Sequence, residues 1–378
     1  MQFFPQTFTK YQVVVTFYVF SPEEMEAHSI TSPQLPETPS FVRRNLLVSH
    51  SPKFLTLPSL TSPAPTIRLN SNKDGNNLDV PSKQMFILGT GYVGQFFAQQ
   101  LKTEGWDVAG TCMSITKKKV LEQKGFDVHV FDAMKPEWTI LDRLRCCTHL
   151  LVSIPPTEGI GDPILQHKET IKASLMDGNL RWLCYLSTTS IYGDARGAWV
   201  DENYIPKPSS TLANLRLKSE EGWLNLGQDL GLSNYVFRLG GIYGPGRSAI
   251  DTILKNKEIS ERQKRRATRT FTSRIHVADI CQALSASISK PAQRKIYNVV
   301  DDDPAPRAEV FAFAQRLIER RWPGLIDPID TSINSEFPHR AEKRVSNALV
   351  KRELDMKLLY PSYRSGLQSI INSMEVPI

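Results

Sequence analysis

Met85-Phe86-Ile87-Leu88-Gly89-Thr90-Gly91-Tyr92-Val93-Gly94 decides the fold of this 378-residue chain. A short apolar run closed by glycine reads as a buried parallel strand. The GxGxxG then reads as a tight turn, and the amphipathic stretch through Leu101 as a helix. The three glycines serve different physical ends. Gly89 permits the turn, Gly91 lets backbone approach a pyrophosphate, and Gly94 lets the helix pack on the strand. The first N–H groups of such a helix have no intrahelical acceptor, and they face the phosphates. The run Gly89, Thr90, Gly91, Tyr92, Val93 and Gly94 is therefore the expected cradle for a dinucleotide.

Working outward, strands are expected at Trp106–Thr111, Val128–Phe131, His149–Ser153 and Trp182–Leu186, with helices between them. This alternation predicts an α/β fold, a doubly wound parallel Rossmann sheet with a small C-terminal substrate lobe. Ligands in such sheets lie beyond the carboxyl ends of the strands, which adds Thr111, Asp132 and Ser153 to the candidate cofactor contacts. The second strand ends in Thr111-Cys112-Met113-Ser114, followed by Lys117-Lys118-Lys119, with no carboxylate to hold a ribose 2′-hydroxyl. Hydroxyls and lysines suit a 2′-phosphate, so NADP is expected ahead of NAD. A solvated helix face is the other reading of the lysines.

Composition narrows the class. With 40% hydrophobic and 22% charged residues the chain is of ordinary globular make-up. No apolar run approaches the ~18 residues that span a bilayer. The net charge of +7 is a mild excess that favours anionic small molecules without implying nucleic acid. The five cysteines, Cys112, Cys146, Cys147, Cys184 and Cys281, have no zinc spacing and are expected as free, mostly buried thiols; no metal site is expected.

Residues 1–80 carry six Lys or Arg and six Asp or Glu, so the whole excess charge belongs to residues 81–378. From Met25 to about Asn72 the chain is rich in Ser, Thr and Pro and poor in acids. The extension is expected to be disordered and to act as a transit peptide. Chloroplast is the first expected destination, with mitochondrion or cytoplasm as alternatives. The dinucleotide core is placed at 81–240, and the lobe with the remaining core elements at 241–378.

Leu186-Ser187-Thr188-Thr189-Ser190-Ile191-Tyr192-Gly193-Asp194 resembles the extended short-chain dehydrogenase/reductases, which include nucleotide-sugar epimerases and dehydratases. The likeness continues in Phe237–Gly246 (FRLGGIYGPG), Arg274–Ile280 (RIHVADI) and Ile296–Val299 (IYNV), and covers about residues 84–375. The glycine spacing and Leu358–Tyr363 (LLYPSY) are similar to an atypical subgroup of bacteria and plants, which implies an organellar form in plants. The resemblance implies that Thr188 orients a substrate oxygen. It also implies a YxxxK pair, in which the tyrosine moves a proton and the lysine holds the nicotinamide ribose.

The chain departs from the family there. The corresponding helix reads Ser209-Ser210-Thr211-Leu212-Ala213-Asn214-Leu215-Arg216-Leu217-Lys218. Anchoring on Lys218 puts Asn214 at the tyrosine position, and anchoring on Arg216 puts Leu212 there. Either cation could hold the cofactor or be a solvated face. Tyr204 is a candidate displaced proton donor or an ordinary loop tyrosine. Tyr192 and His276 are expected to be structural. The basic stretch 255–274 is a solvated loop, or in the resembled family a contact for an anionic substrate. The expected activity is an NADP(H)-dependent reductase, epimerase or dehydratase with Thr188, Tyr204 and Lys218 as candidate catalytic groups and Arg216 on the cofactor. The alternative is a non-catalytic NADP(H)-binding sensor or assembly factor. A small-molecule substrate and a homodimer are the expected partners, with neither nucleic acid nor membrane.

Overall fold

The computed structural model describes residues 83–255, 271–326 and 342–375. The expected transit segment and most of the basic stretch 255–274 lie outside the described residues. β1 (Gln84–Leu88) leads through the glycine turn to α1 (Tyr92–Thr103), β2 (Asp107–Cys112), α2 (Ile115–Gln123), β3 (Asp127–Val130) and α3 (Leu141–Cys146). Next come β4 (His149–Val152), α4 (Lys168–Leu175), β5 (Trp182–Thr188), a 3₁₀ turn at Thr189–Tyr192, β6 (Trp199–Val200) and α5 (Thr211–Asp229). β7 (Ser233–Leu239), β8 (Gly241–Tyr243), α6 (Ala249–Leu254), β9 (Arg274–His276) and α7 (Val277–Ser289) follow. β10 (Lys295–Val299), α8 (Arg307–Arg321), β11 (Arg344–Val345), α9 (Ala348–Leu354) and α10 (Tyr363–Ser373) complete the described chain.

Seven strands form one all-parallel sheet in the order β3-β2-β1-β4-β5-β7-β10. β1 shows why the sheet is covered on both sides. Its side chains alternate, Met85 and Ile87 packing into one apolar layer and Phe86 and Leu88 into the other. The first layer takes Phe97 and Leu101 of α1 and Ile280 and Leu284 of α7. The second takes Ile171 of α4 and Trp223 and Leu224 of α5. β5 runs two residues beyond its expected end, because Ser187 and Thr188 keep register with Arg238 and Leu239 of β7. The five cysteines are free, and all but Cys146 are buried. Among the described residues no helix is long and apolar enough to cross a membrane.

Beyond residue 240 the elements divide. α6, α8 and α10 share a smaller apolar cluster that includes Ile250, Leu317 and Ile370. α9, with Val350 and Leu354, packs instead on the main core, and β11 pairs with β6. Asp279 joins these parts. The carboxylate of this fully buried residue accepts from the backbone N–H of Leu359 (2.6 Å) and of Tyr360 (3.2 Å). Asp279 stands in the first turn of α7 and tethers the LLYPSY segment to that helix.

His276 is structural, as expected. Its Nδ1 caps α7 by accepting from the Ala278 N–H at 3.2 Å, and its ring lies 4.0 Å from that of Tyr360. Burial pushes its pKa down from 6.5 to about 4. The unfolded ring takes up a proton as pH falls below 6.5, whereas the folded ring resists until about 4. Its contribution to stability is therefore whole above pH 6.5 and lost as pH falls toward 4. Between pH 7 and pH 4.5 the wild type should lose roughly 2 kcal/mol more than His276→Gln. Urea unfolding at both pH values measures this, and equal losses in the two proteins would overturn it.

Candidate functional site

The strand order reverses at β1, where the chain leaves for β2 on one side while β4 lies on the other. The connections from the carboxyl ends of β1 and β4 diverge there and leave a crevice, the usual ligand position in open α/β sheets. The glycine turn forms one wall. Gly89 has φ +93°, and a Cβ on it would stand 2.9 Å from Ile154 Cγ1, in the connection after β4. Gly94 lies against Gly89 O, 3.0 Å from where its own Cβ would be. Around Gly91 nothing lies within 4 Å of a Cβ position. Gly91 is also the N-cap of α1, so no side chain caps that helix, and its first turn holds no acid. These features leave donors and space for an anionic group at the α1 N-terminus.

The other residues of the turn have structural duties. Thr111 is buried; its hydroxyl accepts from the Gly89 N–H (2.8 Å), and its carbonyl from the Thr90 N–H (2.7 Å). It holds the turn from behind. Gly110 is required beside it, since a Cβ there would stand 2.3 Å from Thr90 Oγ1. Val93 is buried in the core. The Tyr92 hydroxyl donates to Pro245 O at 2.9 Å, which joins the glycine turn to the YGPG turn. Asp132 is half-buried, with Oδ1 accepting from the Met134 N–H at 2.9 Å. The Ser153 N–H donates to Leu88 O at 2.8 Å, which places this half-buried side chain beside Ile154 at the crevice.

Thr188 ends β5, and its hydroxyl accepts from the Ser190 N–H (3.2 Å), capping the 3₁₀ turn. Beneath it runs a chain of buried polar groups. The Ser187 hydroxyl donates to Glu220 of α5 (2.5 Å), which also takes Nε and Nη2 of Arg238 from β7, Nη2 at 2.8 Å. Arg238 Nη1 donates to the Tyr192 hydroxyl (2.9 Å), which donates to Asn298 Oδ1 (2.8 Å). The Asn298 N–H in turn donates to Glu202 (2.7 Å). Burial pushes the Tyr192 pKa up to about 12, so this hydroxyl keeps its proton and supports the site from below.

The two cations of α5 differ in burial. Arg216 is half-buried and donates through Nη1 to Leu186 O at 3.0 Å, one residue past the Tyr185 pairing with the end of β4. Leu212, Arg216 and Glu220 share a stripe at helical spacing. Leu212 lies one turn before Arg216 on that stripe. Lys218, two residues and about 200° further round the helix, is exposed to solvent. Asn214 is also exposed, donating to Ser210 O at 3.3 Å. The structure thus sets Arg216 on Leu186, two residues before Thr188, and leaves Lys218 exposed. Tyr204 is half-buried, its ring 6.2 Å from that of Tyr192 in a small apolar cluster. Sequence reading overlooked Glu220 and Ser187; the four-residue spacing from Arg216 was the available signal.

No family model matches the chain. Protein YeeZ of Escherichia coli strain K12 is 25% identical over 286 residues, covering 74% of this chain and 97% of YeeZ. A functionally unknown conserved protein from Silicibacter pomeroyi DSS has a solved structure that is 32% identical, with a TM-score of 0.63, covering 78% of this chain and all of that one. The dTDP-glucose 4,6-dehydratase of Bacillus anthracis, solved in complex with NAD, shares the fold at 15% identity and a TM-score of 0.60, over 77% of this chain and 96% of its own.

Removing one partner of the Arg238–Glu220 pair strands the other charge in the interior. Arg238→Ala should cost about 3–5 kcal/mol in chemical unfolding. A loss under about 1 kcal/mol, the size of a surface pair, would show that the pair is not isolated from water.

Proposed function

We propose a nicotinamide-dinucleotide oxidoreductase from one premise: the chain belongs to the extended short-chain dehydrogenase/reductases, the NAD(P)-binding, epimerase/dehydratase-like Rossmann family. The observation that carries the reading is the α1 N-terminus, uncapped by any side chain and open at Gly91, beside the β1/β4 crevice. A diphosphate fits this cradle. Its ribose and nicotinamide would extend along the carboxyl end of β4 toward Ser153, Arg216 and Thr188.

NADP(H) is the preferred cofactor in this proposal. No carboxylate follows β2, the first turn of α2 has no acid, and Ser114 caps that turn ahead of Lys117 and Lys118. NAD(H) is the second candidate, in line with the NAD held by the dehydratase of like fold. Titrating the full chain with NADPH, NADP, NADH and NAD by calorimetry should show selective binding of the phosphorylated pair. Gly91→Val should abolish that binding while the variant stays folded, at the cost of about 1 kcal/mol for a poorer N-cap, because no neighbour lies within 4 Å of a Cβ there. Binding unaffected by the valine would place the dinucleotide elsewhere.

The nicotinamide would supply hydride exchange with a substrate carbon. Thr188 would hydrogen-bond the substrate oxygen, and Arg216 would hold the ribose or a phosphate. Arg216 cannot relay a proton, because its guanidinium stays charged, and Leu212 has none to give. The proton that accompanies hydride transfer is then exchanged with water, and turnover is slow, since positioned acid–base groups contribute about 10²–10⁴-fold. The same observation favours a second reading, a non-catalytic NADP(H)-binding protein. Labelled NADPH that transfers hydride to no member of a carbonyl panel would favour it. If the site is catalytic, Leu212→Tyr with Arg216→Lys should raise turnover of a found substrate by about 10²-fold. No gain would mean that position 212 does not face the reacting atoms.

A further inference from the structure

Gln95, the fourth residue of α1, is 5% exposed and holds the glycine turn from the helix side. Its Nε2 donates to Gly91 O at 3.2 Å and to Thr90 O at 3.4 Å. Gly91 O also takes the regular helical bond from the Gln95 N–H, at 3.0 Å. From the other side Thr111 takes the N–H groups of Gly89 and Thr90, and the Gly91 N–H donates to Gly89 O at 2.8 Å. Every backbone polar group from Gly89 to Gly91 therefore has a protein partner. The N–H groups of Tyr92, Val93 and Gly94 come next, and helix geometry gives them no intrahelical acceptor. This arrangement has a cost. Gln95 Oε1 is buried and accepts nothing, and the Thr90 hydroxyl is buried without a partner as well. A methionine would fill much the same volume and strand no oxygen. What the amide alone supplies is its N–H donors.

We propose that Gln95 is a positioning residue for the dinucleotide, acting through the glycine turn and not by touching the ligand. The inference rests on the dinucleotide reading above. A trans peptide points its carbonyl and its N–H in opposite directions. An amide that draws Gly91 O toward the helix therefore turns the Tyr92 N–H toward the crevice. The same amide offsets the partial negative charge of two carbonyl oxygens that would otherwise stand bare beside an anionic diphosphate. The donors are aimed before the ligand arrives, so no freedom is lost in turning them on binding.

The test compares Gln95→Met with the wild type, both as the full chain, by calorimetry with NADPH and with ADP-ribose, which keeps the diphosphate and lacks the nicotinamide. Methionine should weaken both ligands about 10-fold, the size of one or two lost hydrogen bonds. Its urea unfolding midpoint should stay level or rise, because no buried oxygen is stranded. Gln95→Glu supplies the rescue. Its ionised carboxylate has no donor, its protonated form has one, and burial beside two carbonyls raises its pKa. Its ADP-ribose affinity should therefore rise about 10-fold relative to the wild type between pH 8 and pH 5. Three results would each overturn the inference: Gln95→Met binding within about twofold of the wild type, a loss that comes with a lower unfolding midpoint, or a Gln95→Glu deficit independent of pH. Failure of the wild type to bind either ligand would defeat the dinucleotide reading instead. Hydrogen exchange of the ligand-free chain then decides the hold of Gln95 on the turn. The Gly91 N–H should exchange about 10-fold faster in Gln95→Met, and equal rates would overturn that hold.

Discussion

The buried pairing of Arg238 with Glu220 is the contact on which the rest of the site depends. Both side chains are nearly inaccessible, at 4% and 2% exposure. Beyond the pair itself, Glu220 takes the Ser187 hydroxyl, and Arg238 supports Tyr192, which in turn reaches Asn298. One network therefore joins β5, the 3₁₀ turn, α5, β7 and β10. Its net energy need not be large, since buried ion pairs seldom outperform well-packed apolar side chains. Its consequence is geometric: it sets the rotation of α5 about its own axis. Once Glu220 faces Ser187, Arg216 must face Leu186, Leu212 must lie toward the end of β5, and Lys218 must face solvent.

Glycines act as a second constraint, through side chains they lack. Gly110 leaves room for Thr90, whose backbone N–H bonds Thr111, and the Thr111 hydroxyl holds Gly89. Gly89 in turn allows the β4 connection to approach at Ile154, which sets the width of the crevice. At the other end Gly193 lets the Tyr204–Lys207 strap lie on the turn below Thr188. Backbone thus approaches backbone at both ends of the site, and little polar side-chain machinery stands between.

That economy bears on the chemistry. In the proposed reading, Arg216 and Leu212 stand where the resembled family has the lysine and the tyrosine of its YxxxK pair. There remain a hydroxyl at Thr188 and the positive charge of Arg216.

Much of this was legible in the amino-acid order. The glycine turn and the alternating strands follow from short-range periodicity and local backbone demands, which act within a few residues, whereas Thr188 is marked by the family resemblance of its segment. The register of α5 did not follow, because Arg216 and Lys218 are equally plausible cations along the chain and differ only in which way the helix is turned. Thr111 reads as a cofactor contact because its place at the end of a strand is visible in sequence, whereas its bond to Gly89 spans 22 residues. The same is true of Asp279, whose carboxylate serves backbone 80 residues away. Local pattern settles which elements form and where ligands can approach. The side-chain partners across the sheet settle which residues face the ligand, because they alone fix the rotation and spacing of elements distant in the chain.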